Sequence, residues 1–175
     1  MIKLTPTIIE DGLIENGTIK ERKTVRAIIT NQQNEVLLVY SKLFEDYTFP
    51  GGGIKDQETD IDCLKRELNE EIGAIDISIF EPLFSIDELR YGVKGSDNVY
   101  LQNSIYYRCQ IHKMGNQNLQ GRELLHGITP MWVSIDKALS QNEKVLPNTL
   151  HQTKGLKTVL IRENRVLKAL KEILT

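Results

Sequence analysis

Glu67, Glu70 and Glu71, in the run Arg66-Glu67-Leu68-Asn69-Glu70-Glu71, are the residues whose type and spacing most clearly ask for chemistry. With about 100° of rotation per residue in a helix and Leu64 as origin, Ile61, Leu64, Leu68 and Ile72 fall within about 0–80°, and the glutamates near 300°, 240° and 340°. The three carboxylates therefore share one flank, beside the apolar stripe. Glu67 is spaced i,i+3 from Glu70 and i,i+4 from Glu71, so these like charges repel without a cation among them. Residues 51–74 carry seven acids and three bases, a local net of −4 in a chain of net −2. Clustered carboxylates beside the glycine-rich turn Phe49-Pro50-Gly51-Gly52-Gly53 supply the oxygen donors that a hard divalent cation such as Mg²⁺ takes. Glycines there permit a close backbone approach, so that a carbonyl can join the shell. The competing reading is a solvated acidic helix face. The acids abut the apolar stripe rather than oppose it, and the glycine run precedes them; both points favour the cation.

A chain of 175 residues has room for one core able to hold such a helix. Hydrophobic residues are 40% and charged residues 26%, ordinary globular usage that excludes general disorder. A net charge of −2 gives no basis for binding nucleic acid through phosphate neutralisation. Cys63 and Cys109 lie far apart without metal-type spacing, which excludes a disulfide scaffold and a thiolate zinc site. The N-terminus Met1-Ile2-Lys3-Leu4-Thr5-Pro6 lacks the apolar run of a signal peptide, and no stretch reaches membrane-spanning length; the expectation is a reduced, cytoplasmic protein with no membrane partner.

No repeat or low-complexity linker divides the chain, so residues 1–175 are expected to form one domain. Residues 7–21 hold two β-prone pieces around Glu15-Asn16-Gly17, a hairpin signal that would make either a dimerising hairpin, and so a homodimer, or a plain edge. Residues 24–30 and 35–41 are apolar and β-branched, and the polar Asn31-Gln32-Gln33-Asn34 between them predicts a second hairpin. Thr59 to Ile72 reads as a helix. Strands are expected near 75–86 and 98–111, separated by a polar loop from Asp87 to Asn98. Gly115 to Thr129 reads as a long loop and Met131-Trp132-Val133 as a short strand. Ser134 would cap a helix through about Ser140, and Val159 to Leu174 forms a C-terminal helix. Strands with a central and a late helix predict an α/β (α+β) sandwich.

The spacing Gly52, Glu58, Arg66-Glu67-Leu68, Glu70-Glu71, Gly73, Ala74 resembles the Nudix box (residues 52–74), with every charged and glycine position matched. Ala74 departs from it, because the family usually has a larger aliphatic residue there. The hairpin before the box and the Trp-containing strand and helix after it also resemble the family. The resemblance implies an α/β/α sandwich around a mixed β-sheet, and Mg²⁺-dependent hydrolysis, with Mn²⁺ as substitute, of a nucleoside diphosphate linked to another moiety. It implies that Glu70 and Glu71 are principal metal ligands, with the Gly51 carbonyl beside them. Glu67 becomes a further ligand or the base for the attacking water. Arg66 would orient a carboxylate, and Glu58 would pair with Arg66 or with the loop, while Gly52 and Gly73 support the box. Family members often add a glutamate from a remote loop. Glu123, in Gly121-Arg122-Glu123-Leu124-Leu125-His126-Gly127, is the candidate, set against an exposed loop acid. His126 could touch substrate, act as base, or do neither.

For the substrate, Arg90, Tyr91 and Lys94 of the loop after the box could stack on a base or hold a phosphate. Phe49, Tyr47 and Trp132 are further candidates for a base pocket, against core packing. ADP-ribose-specific members often carry a proline beyond the box; Glu88-Leu89 stands there instead. Dinucleoside-polyphosphate members often carry a tyrosine slightly further on, and Tyr91 lies 18 residues past Gly73. A non-catalytic nucleotide sensor on the same fold is the alternative, but a sensor has no need of three repelling acids. Isomerase chemistry on prenyl diphosphates lacks a suitably placed cysteine, since Cys63 falls inside the helix.

Overall fold

The computed structural model describes residues 1–13, 18–92 and 98–174. Four strands come first: β1 (Ile2–Ile9), β2 (Ile19–Ile28), β3 (Val36–Ser41) and β4 (Asp46–Thr48). The glycine run itself is β5 (Gly51–Gly53), followed by α1 (Asp60–Ile72), β6 (Ala74–Tyr91) and β7 (Val99–Met114). The chain ends with α2 (Arg122–His126), β8 (Ile128–Val133), α3 (Ile135–Val145) and α4 (Val159–Leu174). A five-stranded sheet runs β1-β6-β7-β2-β5 and a three-stranded one β4-β3-β8. The larger sheet is mixed: β1 with β6 and β2 with β7 are parallel, β6 with β7 and β2 with β5 antiparallel.

The expected α/β/α sandwich is borne out by how the strands divide their side chains. Val25, Ala27 and Ile29, with Leu37 and Val39, pack under Leu64, Leu68 and Ile72 of α1. The alternate positions Ile28, Val36 and Leu38 pack with Phe49, Phe84 and Tyr106 against Val166 and Leu167 of α4 and Ala138 of α3. Strands covered on both faces read as continuous apolar runs, which is why residues 25–29 and 36–39 show no polar alternation beyond Arg26. No helix among the described residues is long and apolar enough to cross a membrane.

Several expected elements are corrected. β1 and β2 do not pair with each other: β1 lies parallel to β6 at the sheet edge, and β2 lies between β7 and β5. The hairpin expected over 7–21 is therefore not formed, because the long strands β6 and β7 offer each piece a longer parallel partner; the turn residues 14–17 lie outside the described residues. The turn at 31–34 does form, with the Asn31 side chain accepting from the backbone N–H groups of Gln33 and Glu35. The strands flanking it then diverge into different sheets and share only the bridge Thr30–Val36. The polar loop expected from Asp87 is strand through Tyr91, since β6 continues in register with β7 as far as Val99. The glycine turn is a short strand on β2, with Arg26 opposite Gly51 and Thr24 opposite Gly53. α3 runs past Ser140 to Val145, and the loop 115–129 contains α2.

Candidate metal centre and active site

Helix α1 starts where Thr59 caps it, its hydroxyl accepting the Asp62 N–H at 3.1 Å. It stops at Gly73, a left-handed cap with φ 71°. Its buried residues are Cys63, Leu64, Glu67, Leu68, Glu71 and Ile72. Two glutamates thus lie within the buried arc, while Ile61, expected in the stripe, is left 38% exposed near the first turn.

The strand before the helix is shaped to meet those glutamates. Gly51 has φ 136°, and a Cβ there would fall 2.2 Å from the Val25 carbonyl oxygen. Its N–H donates to Glu71 Oε2 at 2.7 Å. A Cβ on Gly52 would fall 2.4 Å from the Glu67 carboxyl carbon, so only glycine lets that carboxylate lie against the backbone. Glu67 is then held by Arg66 Nη1 at 2.5 Å. Arg66 also makes a two-pronged pair with Glu58, Nε to Oε1 at 2.5 Å and Nη2 to Oε2 at 3.0 Å. That pairing draws the Glu58 carboxyl down to about 2. Glu70 lies 3.4 Å from Arg66 Nη1.

Carboxylate oxygens of Glu67, Glu71 and Glu123 all lie within 4.8 Å of one another. Glu123 comes from α2, where one of its oxygens accepts the Gln120 N–H at 3.1 Å. Glu70, named with Glu71 as a principal ligand, lies outside this group among the described residues and is turned towards Arg66. Burial pushes the Glu71 carboxyl up to about 8, with the Gly51 N–H and Arg26 opposing and Glu67 and Glu123 adding to the rise. Glu67 is raised as well, by burial first, against the pull of Arg66. Crowded, dehydrated carboxylates are unfavourable unless protonated or joined by a cation.

A cavity of about 350 Å³ opens beside Glu71 and Glu123. Arg26, Arg122 and Gly51 line it near the carboxylates, and Phe44, Asp46, His126 and His151 line it as well. Arg26 Nη1 donates to the Phe49 carbonyl at 2.6 Å, and its Nε lies 3.8 Å from Glu163 Oε1. Arg26, Asp46 and His151 were not anticipated as site residues. Arg26 carried a signal: a lone charge between Val25 and Ala27, both fully buried, in a strand otherwise apolar. Asp46 and His151 carried none, because sequence separates them by more than a hundred residues.

The expected substrate residues lie elsewhere. Arg90 and Tyr91 are buried, not looped out: the Arg90 guanidinium donates to the Gly155 carbonyl, and the Tyr91 hydroxyl donates to Gly12 O at 3.0 Å. Neither lines the cavity, and Lys94 lies outside the described residues. Phe49 is fully buried, edge-on to Tyr106 at 5.3 Å, and Tyr47 is buried beside Tyr40. Trp132 is 42% exposed on β8 and Cys63 is buried inside α1.

The family model for the NUDIX domain matches residues 20–153. Over 81 residues the chain is 35% identical to the m7GpppN-mRNA hydrolase of Saccharomyces cerevisiae, a match covering 42% of this chain and 8% of that protein. Over 52 residues it is 44% identical to an RNA pyrophosphohydrolase of Ruthia magnifica, covering 30% of this chain and 29% of the relative. Neither match spans as much as a third of the relative's own length. Among solved structures, a UDP-X diphosphatase superposes with a TM-score of 0.54 at 16% identity, over 89% of this chain and 65% of the other. At that identity the likeness is one of fold.

Proposed function

The chain belongs to the Nudix family, and from that premise we propose that it is a divalent-metal-dependent pyrophosphohydrolase acting on a nucleoside diphosphate derivative. The observation that carries this is the convergence of Glu67, Glu71 and Glu123 beside a cavity that Arg26 and Arg122 also line. The donor set fits Mg²⁺, with Mn²⁺ as substitute: all three are hard oxygens, and oxygens across an octahedral Mg²⁺ ion stand about 4.2 Å apart, within the spread seen here. Glu67, Glu71 and Glu123 would hold the cation, and Glu70 stays in the proposal as the outer carboxylate of the set. Gly51 enters through its N–H to Glu71 rather than through a carbonyl shown to face the cluster. Bound there, the cation supplies charge neutralisation at the phosphates and a more acidic water.

The chain's own groups supply the rest. Arg26 and Arg122 oppose the charge of the diphosphate. Arg66, locked by Glu58, fixes the Glu67 carboxylate. Glu123, which accepts the Gln120 N–H where Glu67 is held by a guanidinium, stands beside the cation it would help hold as the carboxylate placed to take the proton of the attacking water. Water attacks phosphorus, the bridging P–O bond breaks, and the leaving phosphate departs with the bridging oxygen. The net charge of −2 gives no broad basic surface, so the proposed substrate is a small molecule rather than a polynucleotide. The two unpaired, buried thiols Cys63 and Cys109 suit the cytoplasm.

The test is a panel of nucleoside diphosphate derivatives incubated with Mg²⁺ in ¹⁸O water, following label into phosphate products. Turnover by the native chain and its loss in Glu71→Gln support the proposal. Saturable nucleotide binding with no turnover of any panel member favours the sensor reading instead.

A further inference from the structure

The cavity beside the carboxylates has a second, chemically different end. Phe44 stands between two imidazoles, edge-on to His126 at 5.0 Å and tilted against His151 at 5.6 Å. His151 Nε2 is 3.0 Å from the Phe44 carbonyl oxygen, which can only accept, so Nε2 carries the proton and Nδ1 turns towards Asp46 Oδ2 at 3.9 Å. Asp46 is 5% exposed, and its carboxylate lines the cavity. No guanidinium or ammonium group among the described residues lies within ion-pair distance of it; His151 Nδ1, at 3.9 Å, is the group opposite. Val39 and Ile128 give that end apolar walls. Aromatic rings, apolar walls and one convergent acceptor are what a flat, partly polar ring needs.

We propose that this end of the cavity is the nucleobase subsite, and that the Asp46 carboxyl group selects bases carrying an exocyclic amino group (adenine, cytosine or guanine) over uracil and thymine. The inference rests on the reading of the cavity as a nucleotide site and adds which nucleotides it prefers. An exocyclic N–H₂ gives the buried carboxyl a hydrogen bond in place of the water it loses. Uracil and thymine present carbonyl oxygens at the corresponding position, which the carboxylate cannot bond when ionised, so the selection is strongest above about pH 7. A site built to bond one polar group discriminates strongly against a ligand that lacks it, because its own buried group is then left unpaired. A cost already borne by the free protein points the same way: burial first, and Glu163 second, push the Asp46 carboxyl up to about 7.

The experiment is equilibrium binding of AMP, CMP, GMP and UMP, without metal, to the native chain and to Asp46→Leu and Asp46→Asn. Leucine keeps the branching of aspartate and removes both oxygens; asparagine keeps one acceptor. The native chain should bind at least one amino-bearing nucleotide tenfold or more tighter than UMP. Asp46→Leu should lose that preference with its melting temperature held or raised, and Asp46→Asn should keep part of it. UMP bound as tightly as the best of the others, or a preference unchanged in a folded Asp46→Leu, overturns the proposal. Should Asp46→Leu fail to fold, a preference narrowed or reversed in Asp46→Asn, whose amide nitrogen can donate to the uracil oxygen, supports it, and a preference unchanged in Asp46→Asn or absent from native protein overturns it. Because binding is read without turnover, a chain that selects bases yet hydrolyses nothing would sink the hydrolase reading and leave this one standing.

Discussion

Two places in this molecule bury carboxylates, and they handle them in opposite ways. Beneath α4, Glu88 and Glu163 are fully buried, but Arg162 bonds both: Nη1 to Glu88 Oε2 at 2.7 Å and Nη2 to Glu163 Oε1 at 2.7 Å. Gln102 donates to Glu88 at 2.8 Å, and the Tyr106 hydroxyl donates to Glu163 at 3.2 Å. Burial alone would raise the Glu88 carboxyl; Arg162 and Arg90 more than offset it and hold it below the ordinary carboxylate range. At the α1–β5 contact, Glu71 is buried at 9% exposed, receives one N–H from Gly51 and faces two more acids; burial first, and those acids after it, push it up to about 8. Paired buried charge is architecture. Crowded buried charge of one sign beside a cavity is what the proposed cation would relieve.

The largest effect that could break this contrast is on the paired side. Arg162→Met leaves Glu88 and Glu163 buried without their shared cation, and removing one partner of a buried ion pair costs about 3–5 kcal/mol. Urea denaturation should show a loss of that size. A variant as stable as the parent would mean that the network under α4 does not hold charge at all.

Next in size is the crowded side. Glu71→Gln removes an anion from the cluster while keeping length and helix propensity. Turnover at saturating Mg²⁺ should fall by roughly a hundredfold or more, which is about 2.7 kcal/mol at ~1.4 kcal/mol per factor of ten. Metal-free stability should hold near neutral pH and rise above about pH 8, where the native carboxyl ionises against Glu67 and Glu123. Steady-state kinetics beside a thermal melt gives both readings. Near-parental turnover would remove Glu71 from the metal site.

The two regions should also answer pH with opposite signs. The folded state raises the Glu71 carboxyl above its ordinary value, so it binds more protons than the unfolded chain between the ordinary range and about 8. Metal-free stability is therefore fully present below the ordinary carboxylate range and is lost as pH rises through about 8. Glu88 is held low, so its contribution is present above the ordinary range and is lost as pH falls through its lowered value. Melts of metal-free protein should decline from pH 6 to 9, less steeply in Glu71→Gln. A cation at ten times its Kd should restore about 1.4 kcal/mol near the alkaline end. A melt indifferent to both pH and Mg²⁺ there would put the crowded cluster on the same footing as the paired one.

What could be seen in the sequence follows the same division. The helix, its threonine and glycine ends, and the flank carrying Glu67 and Glu71 were legible because helical periodicity and caps are local. Glu123 could be named only as a loop candidate, because the fold of residues 115–127 brings it to the cluster. The strand partners of residues 2–9 and 19–28 were not legible: parallel pairing carries no turn signal, whereas Asn-Gly does, so the hairpin expectation won on local chemistry alone. Arg90 and Tyr91 looked like solvated loop because Asp87-Glu88-Leu89-Arg90-Tyr91 is polar; their partners, Gly155 and Glu10, are supplied from 65 or more residues away.

The smallest predicted effect tests that misreading directly. Tyr91→Phe keeps the ring, its 4.1 Å contact with the Lys154 ammonium and the backbone bond to Glu10, and removes only the hydroxyl that donates to Gly12 O. A half-buried hydrogen bond of this kind contributes about 1 kcal/mol, equivalent to about 2–4 °C in Tm for a chain of this length. The KM for the best substrate of the panel should stay within about twofold, since binding lost equally from ground and transition states shows in KM and this side chain touches neither. The opposite pairing, a KM raised severalfold with the melt unmoved, would return Tyr91 to the substrate and show that the buried end of β6 opens to reach it. Glu88, three residues back along β6, then becomes the discriminating control: locked to Arg162 at 2.7 Å, it cannot follow such an opening without losing the ion pair that Arg162→Met removes.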